Sequence, residues 1–523
     1  MKNAEKNSVV KNTAITVLVM AFATVVAKLL GLIRDILIAW NYGTGTEAIA
    51  YETASRLPIL LFDVVIGGVV TAAFIPVFSE LLVSSGKKKA MQFALDYFNL
   101  IFTVTLMLSV IGEIFAPQLV SLLAPDIPAE AFDLAVPLTR VMFPMVIFAG
   151  LAFCFVGILQ CLGHFRLPSV ISLFSNGAIV LYLLFLEDSF GVYGLSFALL
   201  IGWMLQAAVQ LPTAVKLGFS WRPSFRFLTP EVRKAASAFI PVLVATWLVP
   251  IVNLINTRAA SGIADGRAVT AIGYANRFYI IIVGVFSFIA TNLLFPKLSR
   301  ASAGGDEAGA KKLTASSLKI LLAVVFPVAA GCFVLALPII KLIFVNGDFT
   351  VSDAKMTAEA LRWFCLGMPA MAINEVLQKL FFSRRELKAP MLTSVASSAI
   401  DVVLVYYLSN AFGIAGIAGA SGIVITLCAV ANYFIDARHG GGLFCAKDLL
   451  DMVKIAVFAL LTGVVAYLVF DLTVGIMPEY AALLLAVVSG VAVYAVLSFI
   501  LPIDELAYIF GRKKSDNNEK SEN

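Results

Sequence analysis

Arg34 and Asp35 stand inside an apolar stretch long enough to cross a bilayer, from Ala14 to Trp40, with Lys28 one and a half turns before them. An ionisable side chain at membrane depth costs about 2.5 to 3.5 kcal/mol on insertion scales, so it faces a bundle interior or a watery cavity rather than lipid. The next apolar stretch carries Glu52, Arg56 and Asp63 at i, i+4 and i+11, one face of a helix. Lys28 and Asp35, seven apart, also share a face, and Arg277 sits near the start of a later stretch. Each pair alone could be an internal salt bridge, as Arg56 with Glu52, Lys28 with Asp35, or Glu375 with Lys379. The surplus argues for binding: Lys28, Arg34, Arg56 and Arg277 outnumber the nearby Asp35, Glu52 and Asp63. A guanidinium presents a fork suited to phosphate oxygens, so the chemistry is recognition of an anionic, phosphate-bearing ligand. Asn256, with Asn253, either lines the same cavity or bonds across helices. Asp401, deep and without a sequence partner, is a candidate for proton or cation coupling; an interhelical hydrogen bond near Ser397 and Ser398 is the alternative. Arg140, Arg258 and Arg362 fall near span ends, where long side chains snorkel to the interface.

The elements that must position these residues are membrane helices. A chain of 523 residues that is 60% hydrophobic and 14% charged, with mean hydropathy +0.95, is too apolar for a fold dissolved in water. Windows of about 20 residues give fourteen spans, an all-α integral membrane protein. The first apolar run is too long for a cleaved signal peptide and is expected to remain as a span. Lys and Arg collect on every second connection, including Lys87 to Lys89, Arg222 to Lys234, Lys311 and Lys312, and Arg384 with Lys388. That alternation puts both termini in the cytoplasm. The six cysteines are scattered without a CxxC, and His164 and His439 are isolated, so no metal site and no cofactor is expected beyond a coupling ion. An intramembrane enzyme acting on polyprenyl phosphate would need His or carboxylate groups near the interface, which the pattern does not supply. There is no GxxxxGK[ST] loop for ATP.

One spacing recurs along the chain. Arg56 and Arg277 are 221 residues apart, Pro76 and Pro296 220, Arg140 and Arg362 222, and Phe190 and Phe412 222. Two halves of six spans each enter the membrane with the same polarity, so they should be related by a pseudo-twofold axis along the membrane normal. The expected organisation is a cytoplasmic N-terminus over 1–12, a first lobe over 13–217, a second over 218–437, two extra spans over 438–510, and a disordered tail over 511–523. Two such lobes are the usual scaffold for alternating access, with the substrate between them near the midplane.

KLLGLIRDILIAWNYGTG, the Arg56-Leu57-Pro58 step, YANRF at Tyr274 to Phe278, FVNGDFTVSDAKMT from Phe344 and FFSRRELKAP from Phe381 resemble the MurJ/MviN lipid II flippases of the MOP transporter superfamily. The resemblance covers most of the chain. It implies a cationic cavity for the pyrophosphate and sugars of lipid II, with Lys28, Arg34, Asp35, Arg56 and Arg277 at matching positions. It also implies a groove for the polyprenyl tail along the last two spans, and a place in the bacterial cytoplasmic membrane. Lipid II or a related polyprenyl-pyrophosphate glycolipid, membrane lipids and cell-wall synthesis proteins are the partners it suggests; nucleic acid is not one. Phe62 and Asp63 stand where family members often carry a basic pair, and Asn276 where they carry Asp. A flippase for another undecaprenyl-linked oligosaccharide is the nearest alternative. A drug exporter would favour an acidic cavity instead. Outward movement of an anionic head is helped by an inside-negative potential, worth about 2.3 kcal/mol per charge per 100 mV.

Overall fold

The computed structural model describes residues 25–61, 73–224, 226–227, 229–237, 248–384, 386, 388–440 and 442–501. The expected cytoplasmic N-terminus, the start of the first span, Phe62, Asp63 and the tail beyond Leu501 lie outside the described residues. Every regular element among those residues is helical.

The first compact unit comprises the described part of Met1–Thr270, together with Asn346–Phe349. Its helices are α1 (25–42), α2 (Thr46–Leu61), α3 (Ile75–Ser84), α4 (Lys87–Ile114), α5 (Ala116–Leu123), α6 (Ala129–Met142), α7 (Met145–Cys161), α8 (Arg166–Phe185), α9 (Glu187–Lys216), α10 (230–237) and α11 (Leu248–Ser261). α12 (Arg267–Ile289) leads into the second unit. There a π-helical turn at Ala290–Leu294 is followed by α13 (Phe295–Ala303), α14 (Glu307–Val334), α15 (Ala336–Phe344), α16 (Val351–Ser383), α17 (Lys388–Phe412), α18 (Ile414–Gly440), α19 (Ala446–Thr473) and α20 (Glu479–Ile500).

Ten helices among the described residues are long and apolar enough to cross a membrane. Of the other expected spans, the first, second and seventh run into undescribed residues. α16 is long enough at 33 residues, but Asp353, Lys355, Glu359, Arg362, Glu375 and Lys379 make it more polar than the ten. Large apolar side chains remain exposed along these helices, as Leu460, Leu472 and Leu484 do at 66%, 70% and 66%. In a bilayer those faces meet hydrocarbon and cost nothing to expose.

The order of elements recurs at the offset of the sequence repeat. Lys87 and Glu307 each begin a helix of 28 residues, and Ala116 and Ala336 begin short helices of 8 and 9. Pro76 and Pro296 each occupy the first turn of a helix that follows a π turn. Proline lacks the N–H that a continuing α-ladder would use, so a change of winding and a fresh helix start fall where it stands.

Within the first unit, one core gathers Tyr42, Ile49, Leu57, Leu123, Leu138 and Phe143. A second is largely aromatic: Phe74 stacks on Phe78 and Phe93 with centroids 5.3 and 5.4 Å apart. In the second unit α19 packs on α14 and α20 through small residues: a Cβ on Gly463 would lie 3.4 Å from that of Ala330, and one on Gly490 3.3 Å from Thr462. Close backbone approach of this kind is how helices associate when lipid removes the hydrophobic drive.

The segment Asn346–Phe349 packs with the first unit although both neighbouring stretches belong to the second. The Asp348 amide donates to the Trp40 carbonyl at 2.8 Å, at the end of α1. Gly43 and Gly347 both have positive φ, 55° and 53°. A Cβ on Gly43 would collide with the Asp348 carbonyl, and one on Gly347 with the Trp40 carbonyl. Glycine is required at both places, for backbone conformation and for approach.

Candidate cationic binding site

Arg34 on α1 donates from Nε and Nη2 to Asp35 Oδ1, at 3.0 and 2.8 Å. Its Nη1 donates to Asn176 Oδ1 on α8 at 2.9 Å, and Asn176 Nδ2 reaches back to the Ala27 carbonyl at 3.3 Å. Arg56 on α2 follows the same plan: Nε and Nη2 donate to Glu52 Oε1 at 3.2 and 2.9 Å. In both pairs the acid is the buried partner. The arginine side chains are 25% and 23% exposed, their carboxylates 6% and 5%. A buried carboxylate that grips one edge of a guanidinium fixes its plane; at Arg34 Asn176 takes the other edge, whereas at Arg56 that edge is left for a ligand.

For Arg56 that edge has somewhere to act. A small cavity of about 80 Å³ is lined by Arg56, Ile59, Leu60, Pro250, Asn253, Leu254 and Thr257, room for several waters or a few ligand oxygens. Among the described residues Arg56 Nη1 makes no hydrogen bond. From α11 the polar groups that reach the cavity are Asn253 and Thr257, one turn apart, with Thr257 Oγ1 bonded to the Asn253 carbonyl at 2.8 Å. Asn256 lies off this lining, and its Oδ1 is buried without a partner among the described residues.

The remaining sequence candidates fall as follows. Lys28 is exposed on α1 and makes no ion pair among the described residues. Arg277 is half-buried on α12 in the second unit and has interaction partners there. Asp401 on α17 is 3% exposed, and its Oδ1 has no hydrogen-bond partner among the described residues. The structure brings Arg34 to Asp35 and Arg56 to Glu52. The salt bridge between Glu375 and Lys379 is also made, at 3.3 Å.

Asn176 and Thr257 escaped the sequence reading. Asn176 is the one amide side chain amid FSNGAIVLYLLF, a signal of the same kind as a buried charge, but its partner lies 142 residues away. Other polar residues of the second unit knit helices together. Lys319, 5% exposed, lies 2.6 Å from Asp448 and 3.8 Å from Asp451. Arg384 holds the fully buried Asp436 at 2.6 Å, and Asn432 links Asn374 to Thr393 at 2.8 Å each.

A helix bundle with a bilayer-facing exterior and pinned cations within its spans defines a polytopic membrane transporter. Solved structures share the fold. It superposes on a solved lipid II flippase MurJ in an inward closed conformation with TM-score 0.79 at 23% identity, covering 92% of this chain and 98% of that one. An inward-facing multidrug resistance MATE family transporter of the MOP superfamily gives 0.64 at 17%, covering 79% and 94%. The family model for lipid II flippase MurJ matches residues 38–487. A probable lipid II flippase MurJ of Rhizobium meliloti (strain 1021) is 31% identical over 411 residues, 76% of each chain, and one of Rhizobium tropici is 28% identical over 496 residues, 92% of each. The chain belongs to the MurJ family.

Proposed function

We propose that this protein moves lipid II, the polyprenyl-pyrophosphate peptidoglycan precursor, from the cytoplasmic to the outer leaflet. The observation that carries the reading is the pair of pinned guanidiniums at Arg34 and Arg56, the second facing a polar cavity. Family membership supplies the substrate class: the relatives are named as lipid II flippases. The protein catalyses no bond change; it replaces the water lost by a diphosphate with guanidinium donors while the hydrocarbon tail stays in lipid.

The finer mechanism in this proposal is alternating access by two six-span lobes, with Arg56 and Arg277 as repeat mates and fourteen spans in all. The matching order of short and long helices at the repeat offset supports it. Lys28, without an ion pair among the described residues, adds to the attraction for the head group, and Asn256 supplies a further polar group on α11. Asp401, buried with an unsatisfied carboxylate oxygen, is the coupling candidate. Both termini would lie in the cytoplasm, the last two spans would border the tail groove, and an inside-negative potential would favour export of the anionic head. A MATE-like exporter of cationic drugs is disfavoured by the same arginines.

The test is depletion of the native protein, with a probe for lipid II on the outer leaflet and rescue by wild type, Arg34→Ala, Arg56→Ala and Arg277→Ala. Wild type should restore the signal and the variants should not; rescue by all three would overturn the cationic-site mechanism. In sealed proteoliposomes the rate should rise with an imposed inside-negative potential, and indifference to it would remove the proposed driving force.

A further inference from the structure

Beside the Arg56 cavity lies a second one of quite different character. It has a volume of about 300 Å³, and its lining includes Leu57, Leu61, Leu119, Leu122, Phe143 and Ile255, with Arg258 at the edge. The two cavities share two residues, Leu60 on α2 and Leu254 on α11. Leu60 is one turn, about 6 Å, along α2 from Arg56. On α2 the faces divide at Leu60: Arg56 and Ile59 look to the polar cavity, Leu57 and Leu61 to the apolar one. On α11 Leu254 divides Asn253 and Thr257 from Ile251, Ile255 and Arg258 in the same way. A ligand lying across these two leucines would have its polar end among Arg56, Asn253 and Thr257 and its apolar end in a branched hydrocarbon pocket.

We infer that this apolar cavity seats the isoprenoid chain of the substrate while its diphosphate engages Arg56, so that the α2–α11 seam is a lateral passage for the lipid tail. The inference rests on the function proposed above and adds to it a tail site separate from the groove expected along the last two spans. Three observations carry it. The cavity adjoins the polar one, with Leu60 and Leu254 lining both. Apart from Arg258 its lining offers only hydrocarbon, so it accepts an apolar chain and rejects sugars or peptide. Arg258 supplies a positive charge beside the route of an anionic head, and its Nη1 is anchored to the Leu122 carbonyl at 2.7 Å, near the end of α5. In the orientation proposed above, α5 and the end of α11 lie in the outer half of the membrane, where the tail must finish.

The experiment places the photo-crosslinking residue p-benzoylphenylalanine at Ile255 in the full chain, reconstituted in phospholipid vesicles containing a radiolabelled polyprenyl diphosphate-linked disaccharide. A control carries it at Leu184, an exposed position on α8 outside the last two spans. Capture of label at Ile255 should exceed that at Leu184 several-fold and should fall to the control level when Arg56→Gln is added. Equal labelling at the two positions, or capture at Ile255 of phospholipid alone, would overturn the tail seat. Leu60→Trp, which fills the shared boundary, should lower both transport and Ile255 capture while the thermal unfolding midpoint stays near wild type; unchanged transport and capture in a folded Leu60→Trp protein would also overturn it. The two readings fail separately. Full rescue by Arg34→Ala, Arg56→Ala and Arg277→Ala removes the cationic site, whereas loss of rescue with equal labelling removes only the tail seat.

Discussion

Asn176→Leu tests the binding site through a residue that carries no charge. In the structure Asn176 supplies the acceptor for Arg34 Nη1 at 2.9 Å, while Asp35 holds the opposite edge. A hydrogen bond to a charged group contributes about 1.5 to 3 kcal/mol. Arg34 is 25% exposed, so water recovers part of the loss and the lower figure applies. About 1.5 kcal/mol corresponds to roughly tenfold in affinity. The expected result is a tenfold weaker affinity of the detergent-solubilised full-length protein for a polyprenyl diphosphate, with a proportional fall in transport at low substrate. The same lost bond, with the long one of 3.3 Å to the Ala27 carbonyl, should also lower the unfolding midpoint modestly, so affinity is read at a temperature where both proteins remain folded. In an Arg34→Ala background, Asn176→Leu should have no further effect, since the interaction it removes is already gone. Full additivity of the two substitutions, or an unchanged affinity in Asn176→Leu alone, would refute the idea that Asn176 acts through Arg34.

Gly347→Ala forces a side chain onto a positive-φ residue and into the Trp40 carbonyl; it should destabilise the protein by about 1 to 3 kcal/mol and speed hydrogen exchange at the Asp348 amide, while Gly475→Ala in a loop should do neither. Lys319→Met strips Asp448 and Asp451 of a shared buried partner. It should cost about 3 kcal/mol, read as a lower unfolding midpoint, with partial recovery when Asp448→Asn is added. Burial, followed by the charges of Glu187 and Asp348, raises the Glu47 carboxyl above its ordinary 4.5. The folded protein therefore binds that proton more tightly than the unfolded chain, and the stabilisation is complete below the unfolded value and lost as pH rises through the folded one. Stability measured against pH should rise slightly more on acidification in wild type than in Glu47→Gln, and identical profiles would contradict the assignment.

The parts of this architecture that follow from local pattern were legible in the sequence. Glu52 with Arg56 and Glu375 with Lys379 are one helical turn apart, and both pairs form. The 220-residue spacing of Pro76 and Pro296 marked a repeat in the sequence, and the structure adds that each proline starts a helix after a π turn, which the sequence reading did not anticipate. Long-range partners were not legible. The sequence pattern paired Asp35 with Lys28 on its own face; the structure pairs it instead with adjacent Arg34, and Asn176 closes the other side. Lys319 with Asp448, and Arg384 with Asp436, join residues from different helices whose mutual rotation no periodicity specifies. The apolar cavity was invisible for a related reason: Leu57, Leu119 and Ile255 read as ordinary lipid-facing or core residues until packing leaves space among them.

The four residues Asn346–Phe349 have a consequence for the order of assembly. Domains fold broadly from the N-terminus as the chain is made, yet the first unit lacks part of its own packing until synthesis has passed Phe349. Until then the Trp40 carbonyl has no Asp348 amide, and the turn at Gly43 lacks the Asp348 carbonyl it packs against. The early helices must wait in the bilayer, inserted but incomplete, for a short piece of the later half. A ribosome stalled before residue 346 would hold a first unit with α1 in place and its end unfastened, which protease access near Gly43 would reveal.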